Sequence, residues 1–169
     1  MRLLNKTIES IKKTDKLFNE KTQALLDSLT KPQGSLGRLE DLARQVVAIT
    51  EKETPSLKNK VIFTFAADHG IAENGVSAYP QEVTAQMVAN FINGGAAINV
   101  LARHIGARVI IADLGVASDL RAHAKLIIKK VGFGTKNMAN GSAMKREEAV
   151  QAIENGIEIF EHEFVKGID

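Results

Sequence analysis

The sequence has no cysteine and no tryptophan, and among its 169 residues only one tyrosine and three prolines. Without cysteine there is no disulfide and no thiolate chemistry, a composition that suits a reducing cytoplasm. No uncharged run approaches the ~20 apolar residues of a membrane span, so no membrane partner is expected. The segment MRLLNKTIESIKK has charges at helical spacing and lacks the apolar stretch and small-residue cleavage site of a secretory leader. Neither sign of charge dominates. The 22 basic and 20 acidic residues leave a net charge of +2, and they are interspersed, which excludes nucleic-acid binding through a basic face. No GxGxxG follows the first strand-like run, and GxxxxGK[ST] and GxSxG are absent, so a standard dinucleotide fold, a P-loop and a serine-hydrolase elbow are unsupported. The four histidines, at positions 69, 104, 123 and 162, show neither HxxxH nor HxH spacing, so no structural zinc is expected.

What remains is a globular balance, 44% apolar and 25% charged, in a chain the size of one ordinary domain. The first sixty residues read as helices. Leu4, Ile8 and Ile11 form a short stripe. Thr14-Asp15 caps a helix with Phe18, Thr22, Leu25, Leu26 and Leu29 on one face. Lys31 to Gly37 is a loop, and a third helix faces inward through Leu39, Leu42, Val46 and Ile49, ending at Thr54-Pro55-Ser56.

From residue 60 the texture changes. Residues 61–67 are β-branched and aromatic, the mark of a strand buried on both faces; residues 108–113 and 125–131 predict two more strands. Between them lie helices with Val83, Met87 and Phe91 in one and Ala97, Val100 and Leu101 in the other. Ser142 is the expected N-cap of a last helix, with Ile153, Ile157, Phe160 and Phe164 inward. Alternation of strands and helices implies an α/β fold, a parallel, Rossmann-like sheet flanked by helices. The reading assigns residues 1–58 to an N-terminal helical segment and 59–169 to the first part of an α/β core. Three strands fall short of the usual ~5–6, so this core reads as incomplete.

In open parallel sheets ligands bind beyond the carboxyl ends of the strands. Each expected strand runs into a polar or Gly-rich loop there: Asp68-His69-Gly70, Asp113-Leu114-Gly115 and Gly132-Phe133-Gly134-Thr135. Asp68-His69 suits a metal pair, an acid/base pair or a brace for its own loop. Tyr79, beside Pro80 and ahead of Gln86 and Met87, could wall a flat heteroaromatic ligand, or serve as a loop anchor beside an ordinary core methionine. Arg103 and Arg108 read as solvated charges, and His104 as a partner for a helix C-terminus.

The residues then form words. Leu29 to Glu40 resembles a KPxGSLGRLE signature. Ala67-Asp68-His69-Gly70 with Gly75-Val76-Ser77-Ala78-Tyr79-Pro80 and Val83-Thr84 resembles an ADHG…GVSxYPxxVT block. Gly134-Thr135-Lys136-Asn137 resembles GTxN. Together these resemble the nicotinate-nucleotide–dimethylbenzimidazole phosphoribosyltransferase family over essentially the whole chain. The resemblance implies transfer of phosphoribose from nicotinate mononucleotide to 5,6-dimethylbenzimidazole in cobalamin lower-ligand assembly. It implies no metal or redox cofactor, a cytoplasmic homodimer in the full-length form, and only small-molecule substrates as ligands. It places Ser77, Tyr79, Gln86 and Met87 at the benzimidazole slot, Asp68 and His69 at the pocket edge, and Gly134 and Thr135 facing the shared cavity.

Family members are about twice as long. Their GxGNTT phosphate region and catalytic glutamate fall beyond residue 169, so no catalytic residue is assigned here; Glu73 and Glu82 do not match that motif. Gly141-Ser142-Ala143-Met144 stands where the family commonly has Gly-Pro-Ala-Met. The chain alone is expected to be inactive, as the N-terminal portion of the enzyme. The alternatives are a truncated, non-catalytic benzimidazole-binding or dimerisation module and, setting the resemblance aside, a metal-dependent hydrolase built on Asp68 and His69.

Overall fold

The apolar run Val61–Ala67 forms the first strand of a three-stranded parallel sheet in the computed structural model, which describes residues 3–169. Met1 and Arg2, the start of the expected helical segment, lie outside the described residues. The elements are α1 (Leu3–Ser10), α2 (Lys16–Ser28), α3 (Arg38–Thr50), β1 (Val61–Ala67), a 3-10 turn (Gly70–Asn74), α4 (Glu82–Asn93), α5 (Ala97–Ile105), β2 (Arg108–Gly115), β3 (Leu126–Ile128) and α6 (Arg146–Phe164). The chain forms two units. One holds residues 7–57; the other holds residues 58–168 and the described residues up to Lys6.

In the helical unit, Asp15 caps α2 as expected, its carboxylate accepting from the Leu17 amide at 2.9 Å. The KPQGSLG loop is folded around Glu40, which accepts from Lys31 Nζ at 2.7 Å and from the Leu36 amide at 3.1 Å. These two bonds, the lysine first, hold the Glu40 carboxyl below the usual carboxylate range. The helix α3 differs from expectation. It stops at Thr50 because Glu51 turns left-handed at φ 53° and donates its amide to Val47 O. Its buried residues are Glu40, Val47 and Ala48, whereas Leu39, Leu42 and Ile49 are exposed. Leu25 and Leu29 are exposed as well. Packing of α2 against α3 covers one stripe of each helix, and the Lys31 ion pair claims Glu40 for the covered one.

In the α/β unit the sheet order is β1-β2-β3, all parallel, with Phe63 opposite Ile110 and Ile111 opposite Leu126. Ala66, Val88, Ile111, Val116 and Leu126 form the buried core on the α4 side, with Phe91, Ile92 and Val109 packed against it. The strand β1 is not buried on both faces: Phe65 and Ala67 are exposed, because among the described residues β1 is an edge strand and α6 covers part of its second face. The ladder of β3 is three residues long instead of seven. Two further backbone bonds, Lys129 N to Asp113 O and Val131 N to Leu114 O, carry the segment along β2, while the Lys130 side chain turns inward.

The last helix begins at Arg146, so Ser142 is not its cap. Glu148 reaches back to the Lys145 amide at 2.6 Å, which fixes the start there. Its inward face also differs. Asn155, Ile159 and Glu163 are buried, while Ile153, Phe160 and Phe164 are exposed. Asn155 donates to Lys129 O at 2.8 Å. Glu163 accepts from Arg108 and from Lys166, each at 2.6 Å. Arg108 is exposed, as expected of a solvated charge, and is in addition the ion-pair partner of a buried carboxylate.

Lys166 first, then Arg108, depress the Glu163 carboxyl below its ordinary range against the opposing effect of burial. Because the folded value lies below the unfolded one, this stabilisation is fully present above the unfolded carboxylate range and is lost as pH falls through the lower folded value. Glu163→Gln is expected to lower stability by about 1–2 kcal/mol at neutral pH and to flatten the acid limb of the stability profile. Urea titrations from neutral pH down to pH 3 check both; an unchanged acid limb would refute the assignment.

Candidate functional site

At the carboxyl edge of the sheet, backbone bonds from Asp68 to Gly70 join the three loops. The Asp68 amide donates to Gly115 O at 2.9 Å, after β2; the Thr135 amide donates to Asp68 O at 3.0 Å, and the Gly70 amide to Thr135 O at 3.1 Å, after β3. The Asp68 side chain is almost fully buried, and its Oδ2 accepts from the Ala117 amide at 2.7 Å. Asp68 therefore braces the loop after β2. Gly70 is required here by close approach: a Cβ would lie 2.6 Å from Asn137 N and 2.8 Å from Lys136 C, both backbone atoms.

A second brace was not read from sequence. Asp113, fully buried, accepts through Oδ1 from the Gly115 and Val116 amides at 3.0 and 2.8 Å. Lys130 Nζ lies 3.3 Å from Asp113 Oδ2, donates to Val116 O and Ser118 O, and stands 4.3 Å from the centre of the Phe133 ring. The one signal in the sequence was a lysine pair, Lys129-Lys130, at the end of an apolar strand.

Two cavities flank Asp68-His69. The larger, about 480 Å³, lies between β1 and α4, and Ser77, Tyr79, Gln81, Val83, Met87 and Phe91 are among its lining residues. The smaller, about 290 Å³, lies toward the start of α6 and is lined by Gly132, Gly134, Thr135, Lys136, Met144 and Glu148 among others. Both include Ala67, Asp68 and His69. Of the residues expected at a site, Ser77, Tyr79 and Met87 thus meet at one cavity, Gly134 and Thr135 at the other, and Asp68 and His69 between them. Gln86 lies exposed on α4 and lines neither. Gln81, within the segment expected at the slot but not among its named contacts, lines the larger cavity and donates to His69 O at 2.9 Å.

Tyr79 is largely exposed, and its amide donates to Ser77 Oγ at 3.2 Å, a local turn that presents the ring. His69 Nδ1 lies 3.4 Å from Thr135 Oγ1, which itself donates to Lys136 O. The arrangement offers an apolar wall for a flat ring beside a glycine-rich loop, Gly132 to Gly134, of a kind that suits an anion; the following amides, of Thr135 and Lys136, already donate to Asp68 O and Ala143 O. No group of three or more metal-ligating side chains occurs among the described residues.

A model of a phosphoribosyltransferase family matches residues 11–169. Among curated proteins, the chain is 55% identical over 159 residues to a nicotinate-nucleotide–dimethylbenzimidazole phosphoribosyltransferase of Geobacter metallireducens, covering 94% of this chain and 45% of that protein. It is 53% identical over 169 residues to a protein of the same name from Roseiflexus sp., covering 100% of this chain and 48% of that one. A crystal structure of the phosphoribosyltransferase of this name from Thermus thermophilus superposes with a TM-score of 0.85 at 42% identity, covering 91% of this chain and 47% of that one. The chain spans about half the length of the relatives it matches.

Gly70→Ala drives a methyl group into backbone and is expected to cost about 3 kcal/mol, visible in a thermal melt. Gly75→Ala, with no atom near its Cβ, bears only the strain of its positive φ and is expected to cost less. Equal losses would remove the close approach as the cause.

Proposed function

The chain belongs to the nicotinate-nucleotide–dimethylbenzimidazole phosphoribosyltransferase family, and from that premise we propose that it carries the azole slot and part of the ribose-phosphate cradle of that transfer. The observation that carries the reading is the pair of cavities sharing Asp68-His69, one walled by Tyr79 and Met87, the other by the Gly134-Thr135 loop. In the proposed reaction an azole nitrogen of 5,6-dimethylbenzimidazole attacks the anomeric carbon of nicotinate mononucleotide. The bond from that carbon to the nicotinate nitrogen breaks, and its electron pair leaves with nicotinate. A base takes the azole N–H proton, and inversion gives α-ribazole 5′-phosphate.

In this proposal the azole lies against Tyr79, Met87 and Ser77, and Gln86, which lines neither cavity, makes no contact with it. Backbone amides of Gly132 to Gly134, with the side chains of Thr135 and Lys136, receive the ribose-phosphate portion; the Thr135 and Lys136 amides already donate to Asp68 O and Ala143 O. Asp68 and His69 form the floor between the two. Asp68 is not assigned as the base, because its carboxylate already accepts the Ala117 amide; that proton goes to a group outside these residues. Residues 1–58 are proposed as part of a small helical domain and 59–169 as the first part of the α/β core. The full-length form is proposed to be a cytoplasmic homodimer. The family resemblance supports these assignments, and among the described residues no helix is long and apolar enough to cross a membrane.

The half-length coverage keeps a second reading in play, a module that binds the azole without turnover. Dimethylbenzimidazole binding, followed by its own fluorescence, is expected to be saturable with this chain and to weaken about tenfold in Tyr79→Ala, roughly 1.4 kcal/mol of lost ring contact. Release of nicotinate is expected to stay near background, since loss of the acid/base group alone costs ~10²–10⁴-fold. Azole binding indifferent to Tyr79→Ala would overturn the slot. Turnover by this chain alone would overturn the placement of the base.

A further inference from the structure

The amino end of the sheet holds a cavity that the proposed transfer does not use. Its volume is about 640 Å³, larger than either cavity at the carboxyl edge and within the ~300–1,000 Å³ of small-molecule sites. Its position follows from the shortness of β3. The ladder between β2 and β3 begins only at Ile111, opposite Leu126. Among the described residues, no strand therefore pairs with the first residues of β2 on the side away from β1, and Val109 and Ile110 become cavity wall. Phe91 and Ile92, at the end of α4, and Ile127 extend this apolar lining.

The polar part of the lining is cationic. Arg103, Arg108, Lys125 and Lys166 stand against one carboxylate, Glu163, so with His162 neutral three positive charges are in excess. Glu163 is shared by Arg108 and Lys166. Arg103 and Lys125 bond to main-chain carbonyls at the end of α4, Arg103 to Gly94 O at 2.8 Å and Lys125 to Ile92 O at 3.3 Å. A helix end favours cations there, and the two bonds hold both side chains in place. They leave both charges without a carboxylate and further N–H donors unused. Asn99, 8% exposed, also lines the cavity. Its Nδ2 donates to Phe91 O at 3.1 Å, which fixes the amide's orientation, and its buried Oδ1 has no donor among the described residues. An unmet buried acceptor is unfavourable, and a hydroxyl or amino group carried by a ligand supplies what it lacks.

We propose that this cavity binds a small organic phosphate, a monoester on a ring-bearing body of nucleotide size, at a site separate from the substrate cavities. Arg103 and Lys125 take the phosphate oxygens through charge-assisted bonds. The wall of Phe91, Val109, Ile110 and Ile127 takes the ring, and Asn99 Oδ1 takes a hydroxyl or amino donor. The excess of positive charge excludes a metal cation as the occupant. A nucleic-acid strand needs cations spread along an extended face, and these are gathered around one cavity. The site is for binding and not for chemistry, because its one carboxylate is held by two cations.

The isotope-labelled chain is titrated with adenosine 5′-monophosphate, adenosine and inorganic phosphate, and its amide signals are followed by NMR. The monophosphate is expected to bind saturably and to shift Val109, Ile110 and the Asn99 side-chain amide. Adenosine and inorganic phosphate are each expected to bind at least tenfold more weakly. Arg103→Gln and Lys125→Gln, at exposed positions and still able to donate to their carbonyls, are each expected to weaken the monophosphate at least tenfold. Tyr79→Ala is expected to leave its affinity unchanged. Should either cavity variant unfold, the shifts in the unaltered chain still locate the ligand. The proposal is overturned by the absence of saturable binding, by shifts confined to Gly134 and Thr135, by inorganic phosphate binding as tightly as the monophosphate, or by an affinity indifferent to both cavity variants. Shifts at Val109 and Ile110 without azole binding would count against the azole slot alone.

Discussion

The site depends on one aspartate. Asp68 directly follows β1, where its backbone joins the loops after β2 and β3 and its carboxylate receives the Ala117 amide. A buried carboxylate with an unmet acceptor is costly, and so is a buried amide without one, so each enforces the other's position. Asp113 and Lys130 repeat the device one strand over, a charge pair in which Asp113 Oδ1 accepts the Gly115 and Val116 amides and Lys130 donates to the Val116 and Ser118 carbonyls. The cavities on either side of Asp68-His69 exist because these loops cannot collapse toward each other.

Buried polar partners also decide which face of α3 and of α6 turns inward. In α6 the inward row is Asn155, Ile159 and Glu163, bound to Lys129 O and to Arg108 and Lys166. In α3 it includes Glu40, held by Lys31. In both helices the leucine-, isoleucine- or phenylalanine-rich stripe is left at the surface. Apolar stripes of that kind are rare on a free-standing domain. They fit a chain that spans about half the length of its relatives.

The sequence by itself determined the element types and the parallel α/β class, since β-branched runs alternating with 3.6-period segments leave little else. The motif words were enough for the family and for the neighbourhood of Tyr79, Met87, Asp68 and Thr135, because those residues are set by local chain geometry close to strand ends. Tertiary structure alone decided the inward faces of α3 and α6, the role of Arg108, the brace at Lys130 and the exposure of Phe65. Each of these turns on whether a polar group meets a partner 9 to 55 residues away or whether a strand has a neighbour on its second side. Such contacts leave no periodic trace in the chain, because a hydrophobicity pattern records a residue's own transfer energy and not the bond that offsets it.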